Sequence, residues 1–127
     1  MKQSPTDITL HSQSRVLEVA FADIVFMLPC EYLRVYSPSA AVQGHGPGQA
    51  VLQTGKEHVN IVAIEPVGHY AVKLIFSDAH SSGLYSWDLL YELGTHRQQH
   101  WQDYLARLSD AGIERQTQAH ERHLITT

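Results

Sequence analysis

Nine histidines, one cysteine and a glycine-rich loop are the features of this chain whose residue types could do chemistry. Imidazoles bind metals and move protons near neutral pH, thiolates attack electrophiles, and glycine-rich loops cradle phosphates. Each of these needs partners at a set spacing. His96 and His100 stand at i, i+4 on one face of a predicted helix, which suits two metal ligands. A solvated pair of surface histidines is the simpler reading. His120 and His123 lie in a polar C-terminal stretch and carry less weight. A non-haem iron oxygenase site usually begins as His-x-Asp or His-x-Glu, and none of the nine histidines has a carboxylate two positions on. Cys30 is the only cysteine, so an internal disulfide is excluded. It has no Cys-Gly context and no orienting acid nearby, and a lone cysteine at a strand end is usually a small packed residue.

The glycine-rich loop, Ala41 to Lys56, fails the phosphate test. The interval between Gly48 and Gly55 is too long for a P-loop, and Lys56 is followed by Glu57 instead of Ser or Thr. Gly44, Gly46 and Gly48 alternate, but no helix pattern follows closely, so a dinucleotide fingerprint is also absent. The loop is long for a structureless connection, which marks it as functional or mobile. Arg34, Tyr36 and the turn around His80 form the remaining candidate surface. Arg and Tyr join a broad contact area to a polar tip and are favoured where proteins bind one another. Ordinary structural anchoring competes with that reading.

These residues must be positioned by a small set of elements. Ile8 to His11 reads as a short strand. Arg15 to Phe21 alternates, with Leu17, Val19 and Phe21 on one face, and Ile24 to Leu28 follows across a tight Ala22-Asp23 turn. Pro29 ends that strand and opens a single helical turn over Cys30 to Val35, broken by Ser37-Pro38-Ser39. Val59 to Glu65 is a strand stopped by Pro66, a turn at Gly68 follows, and Tyr70 to Phe76 returns. Leu84 and Tyr85 lead to Ser86, the N-cap of a helix carrying Trp87, Leu90 and Tyr91, with Gly94 as its stop. Thr95, with Gln98 as capping-box partner, opens a second helix through Trp101, Tyr104, Leu105 and Leu108, ending near Gly112. The fold class expected is α+β: a small, mostly antiparallel β-sheet with C-terminal helices packed on it. One domain is expected over residues 5–112, with a disordered tail over 113–127.

A chain of 127 residues suits one domain and can bury a core without staples. The net charge of −4 disfavours sequence-independent nucleic-acid binding. The first apolar run is interrupted by Glu18 and Asp23, so no signal peptide is expected, and no stretch approaches transmembrane length. The expected compartment is the cytoplasm. Nine histidines outnumber the net negative charge, so full protonation reverses its sign, and acid-sensitive solubility is expected.

The run PVGHYAVKLIF, then SDAHSSGLYSWDLLYEL, with LPCEYLRVYSPSA and the glycine-rich segment upstream, resembles the gamma-butyrobetaine hydroxylase-like N-terminal domain family. That family was long described only as a domain of unknown function. The resemblance spans residues 5–94. The sequence departs from the family pattern at Ser77-Asp78-Ala79-His80, where Asp-Asp-Gly-His is usual, and at His69, where Asn is common. In related oxygenases the catalytic centre lies in a separate, larger domain, so the resemblance implies no hydroxylation by this chain alone. Those relatives hold a structural zinc through clustered cysteines and a distant histidine. His80 matches the histidine, but Leu33 to Ser39 carries no cysteine and Cys30 lies outside the match, so a closed zinc site is not expected.

The expectation is therefore a non-enzymatic accessory domain that engages a protein partner, with Arg34, Tyr36 and His80 as the candidate surface. Relatives occur fused to oxygenases and at the end of P-loop iron–sulfur carrier ATPases, which favours docking over catalysis by analogy. No cofactor is expected. The alternative is handling of iron, an iron–sulfur cluster or zinc through His80 with Cys30 or other histidines.

Overall fold

The computed structural model describes residues 3–43, 51–81 and 83–116. Its first sheet is an antiparallel meander of β1 (Asp7–His11), β2 (Val16–Ala20) and β3 (Val25–Pro29). The register sets Val19 between Ile8 and Phe26, and Leu17 between Leu10 and Leu28. Side chains alternate across a strand, so Leu17, Val19, Phe26 and Leu28 go to the core while Val25 and Met27 face out. The Phe21 N–H donates to the Ile24 carbonyl at 2.8 Å, closing the turn at Ala22-Asp23.

The second sheet holds β4 (Ile61–Val67), β5 (Ala71–Phe76) and β6 (Leu84–Ser86), also antiparallel and in that order. The expected α+β class with antiparallel strands and C-terminal helices holds, and the strands divide between two sheets. Three local expectations do not hold. Pro66 does not end its strand: β4 runs through it to Val67, opposite Val72. β4 is a sheet edge, where a missing outward N–H breaks no ladder. Leu84 and Tyr85 are also more than a lead-in, since they pair with Lys73 and Val72 as the third strand. Tyr70, expected to open the return strand, stands outside β5 and is exposed.

Helix α1 (Cys30–Val35) starts at Pro29, whose φ of −60° suits a helix entry, and all six of its residues are buried. It is the internal strut of the domain. The Tyr32 hydroxyl donates to the Leu93 carbonyl at 2.6 Å, and the Tyr85 hydroxyl donates to the Leu33 carbonyl at 2.6 Å. Such bonds let large aromatic side chains be buried without stranding their hydroxyls. A short α2 (Ala40–Gln43) begins the stretch expected as a glycine-rich loop. Gly44, Gly46 and Gly48 lie outside the described residues.

The C-terminal helices are α3 (Trp87–Thr95) and α4 (Arg97–Asp110). Ser86 caps α3 as expected, accepting the Leu89 N–H at 3.1 Å. Gly94 is not the stop that its type suggests. It lies inside α3, and a Cβ there would come within 2.4 Å of the Phe26 ring. Its role is to let the helix backbone rest on Phe26. Thr95 does not cap α4 either: its hydroxyl donates to the Tyr91 carbonyl at 2.8 Å, and His96 is the junction of both helices. α4 does end near Gly112, at Asp110, and is closed by the Gly112 N–H reaching the Ser109 carbonyl and the Ile113 N–H the Leu108 carbonyl. Leu90 and Leu93 press α3 into the core formed by both sheets. Residues 113–116, the start of the stretch expected as a tail, are held by contacts with Glu31 and Glu57. The rest of that stretch, 117–127, lies outside the described residues. Among the described residues no helix is long and apolar enough to cross a membrane.

Candidate functional site

The end of α1, the segment entering β4 and the turn after β5 converge on one polar cluster. Arg34 leaves the last turn of α1 and is 7% exposed. Its Nε donates to Asp78 Oδ2 at 3.0 Å and its Nη1 to Gln53 Oε1 at 2.9 Å. Lys56 Nζ donates to the same Asp78 oxygen at 2.7 Å. The other Asp78 oxygen accepts the His80 backbone N–H at 3.3 Å. Burial pushes the Asp78 carboxyl up, but the Lys56 hydrogen bond, the His80 N–H and Arg34 outweigh it and hold it at about 2.

The turn carrying Asp78 is tight. The Phe76 N–H donates to the His80 carbonyl and the Ala79 N–H to the Phe76 carbonyl, both at 2.9 Å. Ala79 takes a φ of 71°, in the left-handed region that favours glycine. The His80 Nε2 lies 2.9 Å from Ser37 Oγ, which also accepts the Ser39 N–H at 3.2 Å. Gly83 packs against the same hydroxyl: a Cβ at residue 83 would meet Ser37 Oγ at 2.5 Å. Burial, then the Arg34 cation, push the His80 imidazole below its ordinary range, against the pull of Asp78.

Ser37, His80 and Asp78 have the residue types of a hydrolase triad, but their geometry differs from one. Asp78 takes the backbone N–H of His80, where a triad carboxylate takes the ring N–H. Ser37 is fully buried, so its hydroxyl has no approach for a substrate. The cluster is an anchoring network: it ties α1 to the β5–β6 turn and to the segment before β4.

Of the residues singled out from sequence, Arg34 and His80 meet through Asp78, and Tyr36 lies apart. The Tyr36 hydroxyl donates to the His100 carbonyl at 2.6 Å, and its ring stands 5.1 Å from the His100 imidazole. Cys30 belongs elsewhere. It is fully buried, its Sγ lies 3.7 Å from Asn60 Oδ1, and burial pushes the thiol up, away from the reactive thiolate. His80 and Cys30 thus answer to different neighbours. His96 and His100 have ring centroids 6.1 Å apart, and His100 Nε2 pairs with Glu92 Oε2 at 3.0 Å. Among the described residues, no three histidine, cysteine, aspartate or glutamate side chains group as metal ligands. Sequence reasoning missed Ser37, Gln53 and Lys56 as members of the cluster. Ser37 looked like a helix breaker and Asp78 like a turn residue, and no spacing rule links them to Arg34.

Comparison with known proteins places this architecture. The family model described as gamma-butyrobetaine hydroxylase-like, N-terminal, matches residues 8–91. One similar NMR solution structure is 48% identical, with a TM-score of 0.80, covering 94% of this chain and 96% of that one. A second is 52% identical, with a TM-score of 0.76, covering 89% and 85%. A 1.93 Å crystal structure from Acidithiobacillus ferrooxidans, of a protein with unknown function in the DUF971 family, is 42% identical. Its TM-score is 0.61, and the match covers 72% of this chain and 92% of that one. DUF971 and the matched family are the same family. No curated protein matches the chain. The resemblance read from the motifs is borne out: this chain belongs to the gamma-butyrobetaine hydroxylase-like N-terminal domain family.

Proposed function

We propose that this chain is a non-catalytic accessory domain that docks on a protein partner. One contrast carries the reading. The four side chains singled out from the sequence are engaged internally: Arg34 by Asp78 and Gln53, His80 by Ser37, Tyr36 by a helix carbonyl and Cys30 by burial. Meanwhile Ile24, just before β3, and Val25 and Met27 on it stand 43%, 52% and 45% exposed, β3 being an edge strand of the first sheet. Apolar side chains gathered on a sheet edge suit contact with another chain. Arg34, Tyr36 and His80 then act mainly by holding the fold, and the Lys56–Asp78 rim above Arg34 offers a second, polar contact. Handling of iron or zinc is the competing reading, and no ligand group among the described residues favours it.

The test is quantitative partner recovery on immobilised protein, comparing wild type with Val25→Asp, Met27→Asp and Lys56→Glu. Val25 and Met27 are exposed, so the melting temperature of their variants is expected to stay within a few degrees, whereas Lys56→Glu also breaks the 2.7 Å bond to Asp78 and is expected to lower it. A specific partner retained by wild type and lost with the β3 variants supports docking through that strip. Equal recovery by all variants refutes this surface. Near-stoichiometric metal in anaerobically purified protein, lost in His80→Ala, favours the metal reading.

A further inference from the structure

A second constellation lies on the opposite end of α1 from the Arg34 network. The Glu31 side chain is 7% exposed, and its carboxylate is gripped by a guanidinium. Arg115 Nε donates to Oε2 at 2.8 Å and its Nη2 donates to Oε1, two parallel bonds in the fork geometry that matches guanidinium to carboxylate. The Arg115 guanidinium carbon lies 5.3 Å from the centroid of the Trp101 ring. That ring is fixed in turn, edge-on to Tyr32 at 6.3 Å and tilted against Tyr104 at 5.2 Å. Beside the fork, a cavity of about 210 Å³ is lined by Pro29, Glu31, Tyr32, Arg97, Trp101 and Arg115.

A buried carboxylate, a rigid aromatic platform and room beside them make a site for a planar cation. Carboxylate and platform sit on α1 and α4, elements held by the core. Arg115 does not. It comes from the short segment after Gly112, outside any helix or strand, where the Ile113 N–H donates to the Leu108 carbonyl at 2.9 Å and the Gln116 N–H to Glu57 Oε2 at 2.6 Å. Socket and occupant therefore belong to different parts of the chain, the one on helices and the other outside them.

We propose that Glu31 and Trp101 form a guanidinium-recognition site that Arg115 fills in cis, and that an arginine side chain of a partner protein takes its place in trans. The occupant's chemistry is read from Arg115 itself: bidentate bonding and stacking both select arginine over lysine. The site rests on the docking reading only for the existence of a partner. Its chemistry is tested with a small probe, so the failure of either leaves the other standing.

The probe is Nα-acetyl-arginine methylamide, with the lysine analogue as control, titrated into full-length wild type, Arg115→Ala and the double variant Arg115→Ala/Glu31→Gln. The readout is the indole N–H resonance of Trp101. Trp87 is an internal reference, because its Nε1 is already committed to the His69 carbonyl at 2.7 Å. Removing the cis occupant is expected to tighten probe binding by about tenfold or more over wild type. The lysine analogue is expected to bind about tenfold more weakly, and the double variant to give no saturable shift. Equal binding by wild type and Arg115→Ala overturns the proposal. So does undiminished binding without Glu31, or a Trp87 shift as large as that of Trp101. Should Arg115→Ala fail to fold, Arg115→Lys keeps a cation but loses the fork. Probe binding to it no tighter than to wild type also overturns the proposal.

Discussion

Ala79→Gly is expected to stabilise this protein, although glycine normally weakens a fold. Ala79 holds a φ of 71° between Asp78 and His80 and is exposed, so its methyl group is not part of the core. A non-glycine residue in the left-handed region costs about 1–2 kcal/mol. Glycine removes that strain but adds backbone freedom to the unfolded chain, worth about 0.5–1 kcal/mol in the opposite sense. The net expectation is a gain of about 0.5–1 kcal/mol, or roughly 2–5 °C in melting temperature for a domain of this size. The turn hydrogen bonds use backbone atoms and the Asp78 carboxylate, so none is lost. Thermal melts by circular dichroism, with urea titrations to check that the m-value is unchanged, measure the effect. Ala79→Val supplies the opposite arm, since a β-branched residue in this region is strained further and should lower the melting temperature. A melting temperature for Ala79→Gly equal to or below wild type, at constant m, would refute the strain argument.

Other perturbations follow from the same contacts. Asp78→Ala leaves the Arg34 guanidinium, 7% exposed, without its carboxylate, and is expected to cost about 3 kcal/mol in urea unfolding. Because the folded Asp78 carboxyl is held at about 2, below its ordinary value near 4, its contribution is fully present above pH 4 and is lost as pH falls from about 4 to 2. Screening at this partly exposed group reduces that contribution to about 1 kcal/mol, and Asp78→Asn should flatten the acid limb of a stability–pH curve. His80 carries the opposite charge logic but the same slope. Its folded imidazole is held below its ordinary range, so the unfolded state takes up the proton first, and stability falls as pH drops through about 6.5. Gly94→Ala drives a methyl into the Phe26 ring and should cost about 2 kcal/mol despite alanine's better helix propensity, with Phe26→Leu in the same chain restoring part of the loss. Solubility is expected to drop between about pH 7.5 and 5.5 as histidines charge and the net charge crosses zero, and a flat profile would count against this.

What could be read in the sequence was local. Leu17, Val19 and Phe21 alternate two residues apart, and that spacing alone sends all three inward. Ser86 caps its helix through an N–H three residues away, and Gly112 closes another through its own backbone. Where the outcome depended on a distant neighbour, residue type misled. Gly94 has the composition of a helix stop, but the contact that selects glycine there is Phe26, on a different element. Pro66 has the composition of a strand end, but its tolerance depends on β4 being an edge, a property of the sheet and not of the segment.

The candidate site was harder still, because its energetics are pairwise and long-range. Arg34 was visible as a polar residue on a short helix, and the natural inference was a contact surface. The carboxylate that buries it lies 44 residues away in a turn, and the partner of Glu31 lies 84 residues away past the last helix. A charged residue on an element that is buried on all sides needs a counter-ion, because an unpaired charge there costs several kcal/mol. That rule is the usable signal. α1 carries two charged residues, Glu31 and Arg34, among six that are all buried, so a helix this apolar in its surroundings required two partners from elsewhere in the chain. The two partners differ in kind. Asp78 is fixed by a turn with its own hydrogen bonds, so the Arg34 network is a permanent brace. Arg115 arrives on a segment outside any helix or strand, so release of the Glu31 pair breaks no helix or strand, which is why the arginine probe is directed there.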